Sequence, residues 1–474
     1  MRRSPWATLT VLALAQFIVV LDVTIVNVAL PHIQTDLGFT PDGLQWVISA
    51  YTLVFGGFLL LGGRAADLLG ARRVFVAGLV LFGLTSLAGG LAGSPGLLIA
   101  ARTVQGLGGA MLSPAALGIL TVTFPHGRER NIAMGVWGGL AGLGGTLGVV
   151  AGGFLVDALS WRWVFIVNVP IVAALVVATP LIVRHIAPQG GRRAFDVLGA
   201  VLATGGLLGV VYAVVRAEPL GWSSFEVVGC LAGGVVLLVA FVGVEARAAS
   251  PLVPMRLLRS RALSSSGGAI ALTGGAFLSM FFLTALFLQQ VRGDTALRAG
   301  VEFLPMGGAA IASAVVATPL ITRFGTRPVQ LAGTVLSVAG LLLLSRADAT
   351  GSYATQIVPG TVLFGIGIIA VSVPAQIAAV VDVKNADAGA ASGVFTAFQQ
   401  VGGAIGLAVV TTLATSRSTH ALASGASQPD ALVAGFHRGL LVAAAFSAGT
   451  LVVTLLSPRL APSADQIAGA AAAA

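Results

Sequence analysis

Two ionisable residues stand deep inside long apolar stretches of this chain: Asp22, in the run 7–30, and Arg102, in the run 97–123. A charge in hydrocarbon is expensive, and one that persists there serves an ion or proton pathway or is paired with another. At about 100° per residue, the neighbours sharing Asp22's helical face are Ile18, Val19, Ile25 and Val26, all apolar. Its own helix therefore supplies no partner. A carboxyl alone in a low dielectric holds a proton, and a cation brought against it drives the proton off. A group that alternates between those surroundings can carry a proton, and Arg102 is the intramembrane cation available to do the driving. The expectation is a proton-coupling pair, Asp22 and Arg102; the plainer reading is a permanent ion pair holding two helices together.

Catalytic constellations are missing from the pattern. His32, His126, His185, His420 and His437 fall in or beside loops at unrelated spacings, which assemble neither a metal site nor a Ser-His-Asp arrangement. The sequence has no phosphate-cradling glycine loop, so it gives no sign of ATP hydrolysis. Cys230 is the single cysteine and forms no disulfide within the chain. The reading is a non-enzyme with no metal and no cofactor.

The elements that must position Asp22 and Arg102 follow from composition. Of 474 residues, 57% are hydrophobic and 9% charged, against about 25% charged in soluble domains. Such a chain cannot coat a water-facing surface, nor is it polar enough to be disordered. Apolar runs long enough to span a bilayer are centred on 7–30, 44–62, 74–92, 97–123, 131–154, 163–183, 196–215, 225–244, 264–290, 299–322, 329–345, 354–380, 388–413 and 437–456. The first is too long for a signal-peptide core and reads as a retained span. Fourteen spans alternate the loops between two sides. One side, with both termini, then holds 18 of the 26 basic residues, the other 7, and Arg102 is the remainder. The positive-inside rule makes the side of the termini cytoplasmic. The net charge of +9 is scattered over loops, with no basic stripe of the kind that binds nucleic acid.

A weak repeat relates two loops: Gly63 to Arg73 after the second run and Thr318 to Pro328 after the tenth, where matching Gly70 to Gly325 also matches Arg72 to Arg327. It predicts two six-helix bundles, 1–184 and 264–474 including the Ala-rich tail, with two inserted helices and cytoplasmic connections in 185–263. Candidates to line a substrate path are Gln16 and Asn27, eleven residues apart on one face, with Tyr51, Gln105, Phe281, Phe282, Gln289, Phe395, Phe398, Gln399 and Gln400. Aromatics with amides suit bulky apolar or cationic ligands, although for any single one of these side chains core packing is the better reading. Glu302 is a further cation contact or an interfacial carboxylate. The glycines of the fifth run, among them Gly144, Gly148, Gly152 and Gly153, allow close helix approach.

These motifs together resemble the fourteen-helix drug:proton antiporters of the major facilitator superfamily, over nearly the whole chain. Leu21-Asp22-Val23-Thr24-Ile25-Val26-Asn27-Val28-Ala29-Leu30-Pro31 is similar to the signature of that subfamily's first helix. Gly63, Asp67, Gly70, Arg72 and Arg73 resemble the superfamily's cytoplasmic gating motif, with Leu68 and Ala71 where basic residues are usual. Arg102-Thr103-Val104-Gln105-Gly106 resembles the fourth-helix motif implicated in proton transfer. Gly144, Gly148, Gly152 and Gly153 resemble the antiporter-type fifth-helix motif, with Val149 in place of its proline. Trp161 to Pro170 is similar to the subfamily's sixth-helix start.

The resemblance implies an all-α membrane protein of fourteen transmembrane helices, two pseudo-symmetric six-helix bundles plus two inserted helices. It further implies a monomeric antiporter that couples protons to export of amphiphilic or cationic drugs or secondary metabolites. One lysine against 25 arginines, with abundant Ala and Gly, points to a bacterial cytoplasmic membrane. The alternative in the same class is a carrier for one native metabolite or a lipid, with or without proton coupling. A channel would call for rings of like charge, and a membrane enzyme for a catalytic cluster; neither is in the sequence.

Overall fold

The computed structural model describes residues 4–124, 127–184, 196–248, 255–380 and 388–457. Each apolar run forms a long helix, here α1 (Pro5–Leu37), α2 (Trp46–Leu69), α3 (Ala71–Gly90), α4 (Pro95–Thr123), α5 (Gly127–Ala158), α6 (Asn168–Ile182), α7 (Val197–Leu220) and α8 (Phe225–Glu245). Then follow α9 (Arg261–Leu286), α10 (Leu304–Phe324), α11 (Thr326–Leu344), α12 (Val358–Val380), α13 (Ala388–Ala423) and α14 (Gln428–Leu456). Short helices Trp163–Ile166 and Ala296–Glu302 lead into α6 and α10, and α9 ends in a π turn, Phe287–Val291. Among the described residues, eleven helices are long and apolar enough to cross a membrane; α2, α5 and α7 contain shorter apolar stretches, Trp46–Leu59, Leu147–Ala158 and Leu198–Val214.

Local chemistry sets the ends. Pro95 opens α4 and the Ser94 hydroxyl accepts the Leu97 N–H, satisfying one of the orphan donors of a helix start. α1 starts on Pro5 and stops at Gly38, whose φ of 69° is the left-handed conformation that ends helices on glycine. Inside α4, Pro114 gives no N–H to the carbonyl of Ala110. α2 crosses there, and a side chain at Gly62 would strike that carbonyl.

Two sets of helices repeat one packing scheme. α1 packs on α5, α2 on α4, α3 on α4 and α6; correspondingly α9 packs on α13, α10 on α12, α11 on α12 and α14. The repeat extends to single residues. Gly70 and Gly325 take φ of 95° and 83° at equivalent turns, where a side chain would be strained. Arg72 then donates to the Val183 carbonyl just past α6 at 3.2 Å, and Arg327 to the Leu455 carbonyl in the last turn of α14 at 2.6 Å. Each arginine ties the last helix of its own half. α7 and α8 pack on each other, and α7 lies along α2 and α13, where Thr204 donates to the Gly57 carbonyl at 3.2 Å.

The apolar core divides along the helix axes. Towards the face carrying the termini, one cluster draws only on the first six helices and their flanks, from Leu9 to Val183. Two others there join α9, α12 and α13 (Leu263, Ile270, Ala379, Phe395) and α10 to α12 (Ala317, Ile321, Val329, Ile377). Towards the far face one large cluster runs through both halves, from Ile25, Leu30 and Val149 to Phe281, Phe287, Leu407 and Leu440, and a smaller one, Leu53, Val214, Ala404 and Ala408, joins α2 to α7 and α13.

Candidate functional site

Asp22 sits at the join of those clusters: Ile18 and Val19 belong to the terminal-side cluster, Leu21 and Ile25 to the spanning one. Its side chain is fully buried, as is that of Arg102, and the two form a direct ion pair, Arg102 Nη1 to Asp22 Oδ2. Desolvating two charges is offset only when the remaining donors and lone pairs are also satisfied. Here the partners come from α2, from α4 itself and from α6. Arg102 Nε donates to the Val47 carbonyl of α2 at 2.9 Å, and Nη1 also donates to Gln105 Oε1 at 2.8 Å. Gln105 Nε2 donates to Asp22 Oδ1 at 2.9 Å, and Asn168 Nδ2 of α6 donates to the same oxygen at 3.3 Å. Asn168 Nδ2 also reaches the hydroxyl of Ser86 in α3 at 3.2 Å, which itself donates to the Phe165 carbonyl at 2.9 Å. The guanidinium stacks over the Tyr51 ring, 4.2 Å from its centroid, an arrangement that stabilises a buried cation.

The fold explains why these side chains meet. Gly106 brings α4 against the Tyr51 carbonyl of α2, where a Cβ would come to 2.5 Å. Across α1, a side chain at Gly148 would strike the Thr24 hydroxyl, and a Cβ at Gly152 would lie 2.8 Å from the Ile25 carbonyl. Thr24 also donates to the Gly144 carbonyl at 3.2 Å. Despite Val149 at the motif's proline position, α5 is continuous from Gly127 to Ala158. Gly153 turns instead to the other half, where a Cβ would come to 2.5 Å from the Ala296 carbonyl.

The other sequence candidates fall in separate places. Tyr51 lies beneath Arg102, its buried hydroxyl without a partner and directed at Gly109. Gln16 accepts from Ser113 at 3.0 Å on the terminal side of the pair. Asn27 donates to its own helix at Val23, leaving its buried Oδ1 unpartnered. Phe281 stacks on Phe303 and meets Phe277 edge-on, both at 4.8 Å, and Phe282 is buried in the same spanning cluster. Phe395 and Phe398 pack between α9 and α13, where Phe398 covers Gly267, the Gln399 carbonyl crosses Gly274 and Gln400 faces Gly56 of α2. In the gating loop, Arg73 is exposed, Arg72 is tied to Val183, and Gly63 has room for a side chain beside Pro114. The side chain of Asp67 lies outside the described residues.

The sequence places Asn168 within the sixth-helix resemblance without a site role, and it does not single out Ser86 or Asp157. For Asn168 the signal was an amide inside an otherwise apolar run; Ser86 resembles any small helix-packing residue. Asp157, in the last turn of α5, accepts from the backbone N–H groups of Ala296 and Leu297 at 3.2 and 2.9 Å, bridging the halves at the far face. Gln289 and Gln290 add donations to the Val28 carbonyl and Gln34 Oε1 at 3.1 and 2.8 Å, and Thr411 bonds Gln45. Glu302 pairs with Arg298 at 3.3 Å, Arg298 also with Asp294 at 3.0 Å, and Tyr353 donates to the Glu302 carbonyl at 2.7 Å. Among the described residues, no group of His, Cys, Asp and Glu could hold a metal ion.

Known proteins share this architecture and much of this sequence. Two solved structures, the nucleoside transporter NupG and a bacterial homologue of the lysosomal transporter Spinster, superpose with a TM-score of 0.66 each at 13% and 15% identity. The first covers 95% of this chain and 99% of its own, the second 99% and 98%. The puromycin resistance protein pur8 of Streptomyces alboniger is 40% identical, covering 95% of this chain and 90% of its own. The cephamycin export protein CmcT of Amycolatopsis lactamdurans is 39% identical over 95% and 92%. The multidrug resistance protein Stp of Mycobacterium tuberculosis is 35% identical over 86% and 76%. A family profile matches residues 12–407, and with these relatives and this fold it establishes that the chain, a multi-span transporter and not an enzyme, belongs to the Major Facilitator Superfamily.

Proposed function

We propose that this protein is a proton-coupled antiporter that exports amphiphilic or cationic drugs or secondary metabolites across a bacterial cytoplasmic membrane, with both termini in the cytoplasm. The observation that carries the reading is the buried Asp22, Arg102, Gln105 and Asn168 network, in a chain whose relatives are named for antibiotic resistance and export. Protonation of Asp22 cancels its charge and weakens its hold on Arg102, so the packing of α1 against α4 depends on proton binding. Each inward proton draws about 2.3 kcal/mol per 100 mV of membrane potential, enough to raise a substrate gradient by tens-fold.

Alternating access then acts between the halves 1–184 and 264–474, joined through 185–263. The shared far-face cluster and the divided terminal-face clusters support a conformation open towards the cytoplasm, the state that loads an exporter. A monomer suffices, because the network is completed within one chain. The test compares the sensitivity of expressing and non-expressing cells to a panel of structurally unrelated antibiotics and cationic dyes, with Asp22→Asn as the control. Protection by the unmodified protein, lost in Asp22→Asn, is expected. Equal sensitivity to every compound would reject drug export. Protection against one compound alone would favour a carrier for a single metabolite.

A further inference from the structure

The contacts of Asp22 are all donors: Arg102 Nη1, Gln105 Nε2 and Asn168 Nδ2. That suits a carboxylate and fails a carboxylic acid, whose new O–H must itself donate. Arg102 has no acceptor, and the acceptor of Gln105 is taken by Arg102 at 2.8 Å. The Tyr51 hydroxyl lies beyond the guanidinium, against Gly109. Asn168 differs from its neighbours, because its Oδ1 is buried without a partner while its Nδ2 already touches Asp22.

We propose that Asn168 senses the protonation of Asp22 by turning its amide. A half-turn about Cβ–Cγ exchanges two ends of nearly equal size and places Oδ1 where it accepts the Asp22 O–H. The proton comes from water on the open side and returns to water on the other; no other atom is transferred. The turn also reverses the bond to Ser86. Its hydroxyl now accepts from Asn168 at 3.2 Å while donating to the Phe165 carbonyl at 2.9 Å. With Oδ1 facing it, the hydroxyl hydrogen swings to Asn168 and the Phe165 carbonyl is released. Phe165 belongs to the short helix Trp163–Ile166, which follows Trp161 and Arg162, both bound to Asp36 at the far end of α1 at 2.8 and 2.7 Å. Protonation in α1 is thus conveyed through α3 to the segment that leads into α6.

The proposal rests on the reading of Asp22 as the proton carrier. Among the described residues, the ionisable groups facing Asp22 are Arg102 and, beneath it, Tyr51; α3 and α6 present Ser86 and Asn168, and α5 presents glycines to α1. In Asn168→Leu the charged form of Asp22 loses its 3.3 Å donor and the protonated form loses its acceptor. The pH dependence of proton-driven transport should therefore change, with substrate counterflow retained as evidence of a folded carrier.

Acid-minus-alkaline infrared difference spectra of the reconstituted protein supply the second readout. The unmodified protein should show a hydrogen-bonded carboxyl stretch together with a change in a ¹³C-labelled asparagine side-chain band, and Asp22→Asn should abolish both. Asn168→Leu should keep the carboxyl stretch but raise its frequency to that of an undonated carboxyl. Ser86→Ala, which alters the packing beside Asn168 and leaves its acceptor, should keep the hydrogen-bonded frequency. An unchanged pH profile and carboxyl frequency in Asn168→Leu, or no asparagine change in the unmodified protein, would overturn the proposal while leaving Asp22 as carrier. Proton-driven transport that survives Asp22→Asn would instead remove the reading beneath it.

Discussion

Towards the far face, α1, α4 and α5 share one apolar cluster with α9 to α14, and polar side chains stitch the halves across it: Asp157 to Ala296 and Leu297, Gln289 to Val28, Gln290 to Gln34. Towards the terminal face the same helices separate into a cluster of the first half and two of the second. The difference lies in what the seam is made of. At the far face the glycines Gly153 and Gly300 let backbone approach backbone, where a Cβ on either would come to 2.5 Å from a carbonyl of the other half. At the terminal face the repeated arginines Arg72 and Arg327 bind carbonyls of their own halves and not of the other. Asp22 lies at the level where one arrangement gives way to the other.

The harshest way to break this contrast is to unbalance that level. Arg102→Ala leaves Asp22 buried without its cation, which should cost about 3–5 kcal/mol and show as a large fall in thermal stability in detergent. Asp22→Asn combined with Arg102→Ala should restore most of the loss, since no charge is then left uncompensated. Next comes the far seam itself. Gly153→Leu should hold the halves apart at that face. In a Cys230→Ser background, a cysteine placed at Gln290 should then react with a membrane-impermeant maleimide several-fold faster.

A graded effect is expected from Asp157→Ala. Loss of its two charge-assisted bonds, each worth at most about 1.5–3 kcal/mol and here partly exposed to water, should weaken the seal, read in the same labelling assay. Thr411→Val removes one bond to Gln45 and should shift it by about 0.5–1.5 kcal/mol. Smallest is the pH response of the loop between α11 and α12. The Gln356 amide, the Thr350 hydroxyl and the Gly351 N–H hold the Asp348 carboxyl below its ordinary range. A lowered folded pKa gives a contribution present above the ordinary carboxylate value and lost as pH falls through the folded one. The amide-exchange protection factors of residues 348–356, which remove the intrinsic pH dependence of exchange, should therefore stay constant from neutral pH to about 4 and fall only below it.

The spans were legible because a twenty-residue apolar run has few other uses, and the pairing of Asp22 with Arg102 because charges in such runs are rare enough to seek one another. The repeat seen in two loops proved to be a repeat of bonds, through Arg72 and Arg327. What sequence could not supply was the neighbour on another helix. The face of Asp22 is apolar along α1, so its partners Gln105 and Asn168 come from α4 and α6, 83 and 146 residues away. Tyr51 read as a lining residue because an aromatic in an apolar run carries no label for the cation stacked on it. Nothing in the sequence ties Asp157 to Ala296 and Leu297, 139 and 140 residues away; the fold alone sets the turn leading into α10 against it.

The central claim is that Asp22 carries the coupled proton. Its most direct test is dye uptake by inverted membrane vesicles under an imposed pH gradient, beside equilibrium exchange of the same dye in the same vesicles. Asp22→Asn should abolish gradient-driven uptake while exchange continues; gradient-driven uptake at the unmodified rate would contradict the account.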